Sequence, residues 1–379
     1  MTKIADIRVH LLEHELDEPF QSSFSQFNRR TACLVEVICE DGTIGWGECL
    51  GPHRLNAAAV EAMRPLLLGR DPGLIEPLTL NIYSQFRDQG QSGIAVTALS
   101  GIDVALWDIK GKRLGAPIHA LLGGAFRKSI PAYATGAFRR LKGDRPAALA
   151  AETGGYVREG FSAVKIKIGF GVAEDIAAIK AVREAIGPET GFMIDANHGY
   201  DAIEAVALGN AVAHLGIGWF EEPVVPEDFA GYRKVRAGQP IPVAGGETWH
   251  MRWGFHAAFM AGAVDIAQPD VCGVGGFTEA KKIADMAAAF SVRLMPHVWG
   301  TGIALAAALH YLAILPDVPP RHEPRQPMLE FDRTHNPFRR AVLTAPIEHA
   351  GGIVAVPDGP GLGIEVNREA LARFAPASA

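Results

Sequence analysis

Phe192-Met193-Ile194-Asp195-Ala196-Asn197 is the stretch on which the reading of this chain turns. Phe192 to Ile194 is a short apolar run that predicts a buried strand, and Asp195 falls where that strand ends. A carboxylate at the end of a buried strand is costly unless it is paired or bound to a metal. The event recurs twice: Trp219-Phe220-Glu221-Glu222-Pro223 runs from an apolar pair into acids, and the run Ile241 to Gly246 stops at Glu247. Asp195, Glu221 and Glu247 are spaced 26 residues apart, room for one helix and one strand each time. Three acids would then stand at the same end of three neighbouring parallel strands.

Carboxylates with no Cys or His beside them are hard oxygen ligands, suited to Mg²⁺ or Mn²⁺ over Zn²⁺. A single such acid would read as a salt bridge or helix cap; three at matched intervals read as a metal site. The side chain of Glu222 should point away from that of Glu221, which makes an ion pair its expected role. Asn197 would touch metal or substrate, or cap the next helix.

One unit earlier stands Val164-Lys165-Ile166-Lys167-Ile168. Lysines at i and i+2 share one face of a strand. With Val164, Ile166 and Ile168 packing against helices, both lysines point into the interior. Neighbouring ammoniums beside a divalent cation disfavour each other's charge, and a Lys with a lowered pKa can act as a base. Further on, Gln268-Pro269-Asp270 and Pro296-His297 end two more strands. An Asp beside a His fixes the tautomer and supports the imidazolium. Glu330, after Pro327-Met328-Leu329, would end the last strand; protonated, it would donate a hydrogen bond to an oxyanion, with a structural role as the alternative. His53 and Arg54 fall in a loop that would cover the mouth of the site or simply lie on the surface.

The rest of the chain fits this centre. Its 379 residues allow two domains or one large barrel with an addition. Hydrophobic content of 48% and charged content of 21% are ordinary for a globular protein. A net charge of −6 favours neither nucleic acid nor an anionic membrane as partner. The first residues lack the apolar core of a signal peptide, no apolar run reaches the length of a membrane span, and Cys33, Cys39, Cys49 and Cys272 lack metal spacing. These features predict a cytoplasmic protein with reduced thiols.

Residues 1–127 read as an α+β unit. Ile4 to Leu16 predicts a strand, Thr31 to Cys39 and Thr43 to Cys49 a hairpin around Asp41-Gly42, and Gln21 to Arg30 a polar loop before it. Helices are predicted over about 57–68, 75–87 and 94–113. From 128 to 335, short apolar strands alternate with Ala-rich helices, which predicts a (β/α) barrel with ligand groups at the C-terminal ends of its strands; an open doubly wound sheet is the rival. Residues 336–379 are expected to return to the N-terminal unit as strand and turn. The Gly-rich run 357–363 is no nucleotide fingerprint, since no βαβ unit surrounds it.

Lys165-x-Lys167, Asp195-Ala-Asn197, Glu221-Glu222-Pro223, Gly246-Glu247, Asp270 and His297 together resemble the mandelate racemase and muconate lactonizing group of the enolase superfamily, as does Ala98 to Asp108 with its Trp107-Asp108. The resemblance spans essentially the whole chain. It implies an α+β capping domain completed by the C-terminal tail, a modified TIM-type barrel, Mg²⁺ on Asp195, Glu221 and Glu247, and removal of a proton α to a carboxylate, a pattern the superfamily is known for. Lys165 would neutralise the substrate carboxylate, and Lys167 or the His297–Asp270 pair would take the proton. Asn197, Glu330 and His53 would line the substrate. Gly45 to Pro52, Arg87 to Gln91, His297 to Gly302 and Glu330 to Pro337 look closest to members that open sugar-diacid lactones. An isomerase that converts an acid-sugar lactone to a 3-deoxy-2-keto-hexarate is therefore expected, working as a homo-oligomer. The alternatives are an aldarate or aldonate dehydratase, an acid-sugar racemase, and a sugar-acid binding protein without activity.

Overall fold

The computed structural model describes residues 2–317, 319, 321–323 and 325–376. Its N-terminal part is an antiparallel sheet of β1 (Ile4–Gln21), β2 (Gln26–Cys39) and β3 (Ile44–Cys49) backed by the helices His53–Met63, Ile75–Phe86 and Ile94–Leu114. The predicted hairpin is there: β2 and β3 pair around Asp41-Gly42, with Gly42 at φ 82°. The predicted polar loop is not. Only residues 22–25 turn, because Phe20 pairs across to Phe27 and the two rings stack at 5.1 Å, drawing Gln26 to Arg30 into β2. Helix Ile94–Leu114 lies directly on β3. A Cβ on Gly47 would stand 1.9 Å from the carbonyl oxygen of Gly101, so only glycine lets strand and helix approach this closely.

The second part carries β4 (Ser129–Thr135), the two-residue β5 (Arg139–Arg140, which joins β1), and then β6 (Ala163–Lys167), β7 (Gly191–Asp195), β8 (Ile217–Glu221), β9 (Val243–Gly245), β10 (Ile266–Ala267), β11 (Arg293–Leu294) and β12 (Leu329–Asp332). The parallel ladder runs β12-β4-β6-β7-β8-β9-β10-β11. Among the described residues, no backbone pairing closes β11 onto β12. Side chains span that gap: Tyr133, Ala163, Met193, Trp219, Ala244, Ile266, Met295 and Met328 form one interior cluster. This is the packed floor expected of a (β/α) barrel, with an α+β cap beside it. Val164, Ile166, Ile168, Phe192, Ile194 and Phe220 alternate with the interior residues and pack outward. Helices Arg145–Arg158, Val172–Ile186 and Ala202–Val212 connect β5 to β6, β6 to β7 and β7 to β8, the alternation expected from the sequence.

The C-terminal stretch touches both parts. The hairpin of β13 (His349–Ala350) and β14 (Ile353–Ala355) adds to β4 through β14. Leu362 N–H donates to Asp108 of the long cap helix, and Arg368 pairs with Glu36 on β2. No helix among the described residues is long and apolar enough to cross a membrane.

Candidate active site

Strand register assembles the site. Lys167 lies opposite Asp195, and Asp195 opposite Glu221. With alternate residues pointing inward, Lys165, Lys167, Asp195 and Glu221 all stand above the floor of the barrel, at the C-terminal strand ends. Glu247 follows β9 after Gly246, whose φ of 132° no L side chain adopts comfortably and where a Cβ would meet the Phe255 ring at 2.9 Å. That turn brings Glu247 beside the other two acids: one oxygen from each of Asp195, Glu221 and Glu247 lies within 4.8 Å of the others.

The charge balance supports a cation there. Among the described residues, the six acids Asp195, Glu221, Glu222, Glu247, Asp270 and Glu330 are answered by two lysines, Lys165 and Lys167, and two histidines, His297 and His198. Burial, together with Asp195 and Glu330, pushes Glu221 up to about 7 despite Lys165. Burial and then Glu247, Asp195 and Glu221 drive Glu222 well above the usual carboxylate range. Three oxygen donors in surplus negative charge fit a hard divalent cation.

Lys165 is fully enclosed, 2.5 Å from Glu221 Oε1 and 2.7 Å from Glu330 Oε1. Lys167 bonds to Asp195 Oδ2. The lowered lysine pKa expected from two adjacent ammoniums is not what the structure holds. Burial pulls both lysines down, but Glu221 and Glu330 outweigh it at Lys165, and Asp195 at Lys167, so both lie above the ordinary lysine value. Correspondingly, burial pushes Asp195 up, yet Lys167 and Lys165 bring it down to about 2.

Across the mouth, His297 Nδ1 stands 2.8 Å from Asp270 Oδ2, and Nε2 stands 3.4 Å from Glu247 Oε2. Burial opposes the imidazolium, but Glu247 and Asp270 outweigh burial and raise His297 to about 10. Glu330 also departs from expectation. Burial would raise it, but Lys165, His297 and Lys167 hold it below the usual range, so it is an ionised acceptor and not a protonated donor. Its Oε2 accepts from Val298 N–H at 3.2 Å.

Asn197 does not cap the next helix; Asp201 does, in a capping box with Glu204. Asn197 instead turns at φ 39°, donates its N–H to Asp195 Oδ1 (2.9 Å) and its Nδ2 to Glu222 Oε2 (3.4 Å), and its carbonyl accepts from Ser23 Oγ of the cap (2.7 Å). The partner of Glu222 is His198, whose Nε2 lies 3.4 Å away. His53 stands apart: it opens the helix His53–Met63, and its Nε2 lies 2.7 Å from Glu13 Oε1 within the cap.

Two cap acids escaped the sequence reading. Glu48, at the end of β3, accepts from Thr301 N–H, Thr301 Oγ and Ala304 N–H, and burial pushes it up to about 7. Asp103 accepts from Thr278 N–H and Thr79 Oγ, and burial pushes it to about 7. An acid closing an apolar strand, as in Gly45-Trp46-Gly47-Glu48, is the same signal that singled out Asp195.

The family model described as "Mandelate racemase / muconate lactonizing enzyme, N-terminal domain" matches residues 5–123, and "Enolase C-terminal domain-like" matches residues 148–370. The chain is 59% identical over 372 residues to D-galactarolactone cycloisomerase of Agrobacterium fabrum, covering 98% of each. It superposes with a TM-score of 0.90 on the crystal structure of 3,6-anhydro-D-galactonate cycloisomerase from Zobellia galactanivorans, at 40% identity, covering 99% of this chain and 100% of that one. A racemase from Streptomyces coelicolor A3(2) with bound magnesium superposes at 0.88, with 28% identity and coverage of 98% and 100%.

Proposed function

Because the chain belongs to the mandelate racemase and muconate lactonizing enzyme family of the enolase superfamily, we propose that it is an Mg²⁺-dependent cycloisomerase that opens D-galactarolactone to a 3-deoxy-2-keto-hexarate. The observation that carries the substrate is the 59% identity, over nearly the full length of both chains, to an enzyme of that name. The geometry supports the chemistry. Lys167 and the Asp270–His297 pair approach one three-carboxylate cluster from β6 and from the end of β11.

Asp195, Glu221 and Glu247 would hold the cation, which would supply Lewis-acid stabilisation of the charge that builds on the substrate carboxylate. Lys165, kept charged by Glu330, pairs with that carboxylate. Lys167 takes the α-proton; a cation on Asp195 would weaken the support that this acid gives the ammonium, which would favour the neutral amine a base needs. The electrons left on the α-carbon form the carbon–carbon double bond and break the bond from the β-carbon to the ring oxygen. That oxygen departs as a carboxylate tethered to the product. His297, held as imidazolium by Asp270 and Glu247, stands on the other side to supply the proton that the enol takes up at C3.

Incubation with D-galactarolactone in D₂O, followed by mass spectrometry after return to H₂O, tests this. The product should match the mass of the substrate apart from one deuterium at C3. Loss of water, or turnover of the open-chain diacid alone, would overturn the proposal in favour of a dehydratase.

A further inference from the structure

Glu221 is bonded at both oxygens, and in two different ways. Its Oε1 faces Lys165 Nζ at 2.5 Å, on the side shared with Asp195. Its Oε2 accepts from Trp219 Nε1 at 2.8 Å and from Gln268 Nε2 at 2.6 Å. Trp219 precedes Glu221 by two on β8, so both side chains point into the barrel, while Gln268 comes from the turn that follows β10. All three are buried. The amide of Gln268 must present its NH₂ to Glu221, since its oxygen there would face a carboxylate oxygen. That leaves Gln268 Oε1 with no partner among the described residues. An unsatisfied buried acceptor is a cost that the bond to Glu221 has to outweigh.

We propose that Trp219 and Gln268 are positioning residues for the cation. Together they occupy Oε2, so that Glu221 offers a single oxygen, Oε1, in fixed orientation. Neither residue touches substrate; both act through the ligand. Outer-shell partners of this kind change metal affinity by about 10- to 100-fold. The inference rests on the cation site described under Proposed function.

The test is calorimetric titration of Mg²⁺, with Mn²⁺ spectroscopy as a second readout, on the intact chain without substrate. Gln268→Met keeps the volume and Trp219→Phe keeps an aromatic ring, somewhat smaller, in the same place; each removes one donor. Each should weaken Mg²⁺ binding by about tenfold or more, and the double variant should weaken it beyond either. Gln239→Met is the control: its amide is equally buried, but it bonds only to backbone at Val235 and Ile241, so it should lower the melting temperature and leave metal affinity unmoved. Wild-type affinity in both Gln268→Met and Trp219→Phe, or an equal loss in Gln239→Met, would overturn the inference while leaving the cation site standing. A wild-type chain that binds neither ion would overturn the cation site itself.

Discussion

Asp103→Asn isolates one buried carboxyl at the seam between cap and barrel. Asp103 is fully enclosed, and burial, with Glu279 nearby, lifts its pKa from 3.8 to about 7. A raised acid keeps its proton in the folded state after the unfolded chain has lost it. Its contribution to stability is therefore complete below pH 4 and is lost as pH rises to 7, then stays flat. The gap of roughly three units is worth about 4 kcal/mol over that window. Asparagine has the same shape and no titration. Its oxygen can accept from Thr278 N–H, and its NH₂ can donate to Thr79 Oγ, which is free to accept. Urea denaturation of both proteins at pH 5.5 and pH 8.0 reads the effect, because every other titrating group cancels in the difference. Relative to wild type, the variant should gain about 2 kcal/mol between the two pH values. A difference that is the same at both would mean that Asp103 titrates in the folded chain as it does unfolded, and the reasoning from burial would be wrong.

Exhaustive chelation should abolish turnover, and Mg²⁺ should restore it; saturating Mg²⁺ should also raise the melting temperature, by an amount equivalent to about 2.7 kcal/mol at a hundred times the dissociation constant. Lys167→Ala should leave a folded, Mg²⁺-binding protein whose kcat falls at least ~10²-fold; normal turnover would remove Lys167 from the base role. Glu48→Leu strips the acceptor from Thr301 and Ala304 and should lower kcat roughly tenfold or more through displacement of the His297 loop, with Mg²⁺ affinity, read by calorimetry, unchanged.

Much of this site was legible because a (β/α) barrel repeats. The even interval between Asp195, Glu221 and Glu247 is the length of one strand, helix and return, so strand ends and acids fall together. What the sequence could not give was cross-strand company. Two lysines on one strand predict mutual repulsion and a lowered pKa. The register places Lys167 opposite Asp195, and the acid across the gap outweighs the lysine beside it. The ionised state of Glu330 was hidden for the same reason, since Lys165 reaches it from a strand more than 160 residues away in sequence. Residues 21–30 misled through composition. Gln26, Asn28 and Arg29 are exposed polar side chains on β2, while the stacking of Phe20 on Phe27 decides the backbone. Strands β10 and β11 are only two residues long as ladders, and nothing in Val264 to Gln268 or Val292 to Met295 marks so early an end.

The cap does more than cover the barrel. Asp270 and His297 sit on two different barrel loops, and each loop is held by a cap acid a few residues downstream: Asp103 on Thr278, and Glu48 on Thr301 and Ala304. Ser100 Oγ adds a further hold, accepting from Gly275 N–H at 2.8 Å. The 2.8 Å contact between Asp270 and His297 thus joins two segments whose positions are both fixed from outside the barrel. A hydrogen bond between side chains on separate loops loses its value when either loop moves by a fraction of an ångström. Anchoring both loops to one rigid helix-and-sheet unit removes that freedom. This gives a physical reason why the Asp270–His297 pair, at the end of the barrel where no backbone pairing among the described residues joins β11 to β12, can keep its geometry. The lysines need less such help, because β6 pairs with β7 along its whole length, Ala163 to Lys167, and with β4 at Val164 and Lys165.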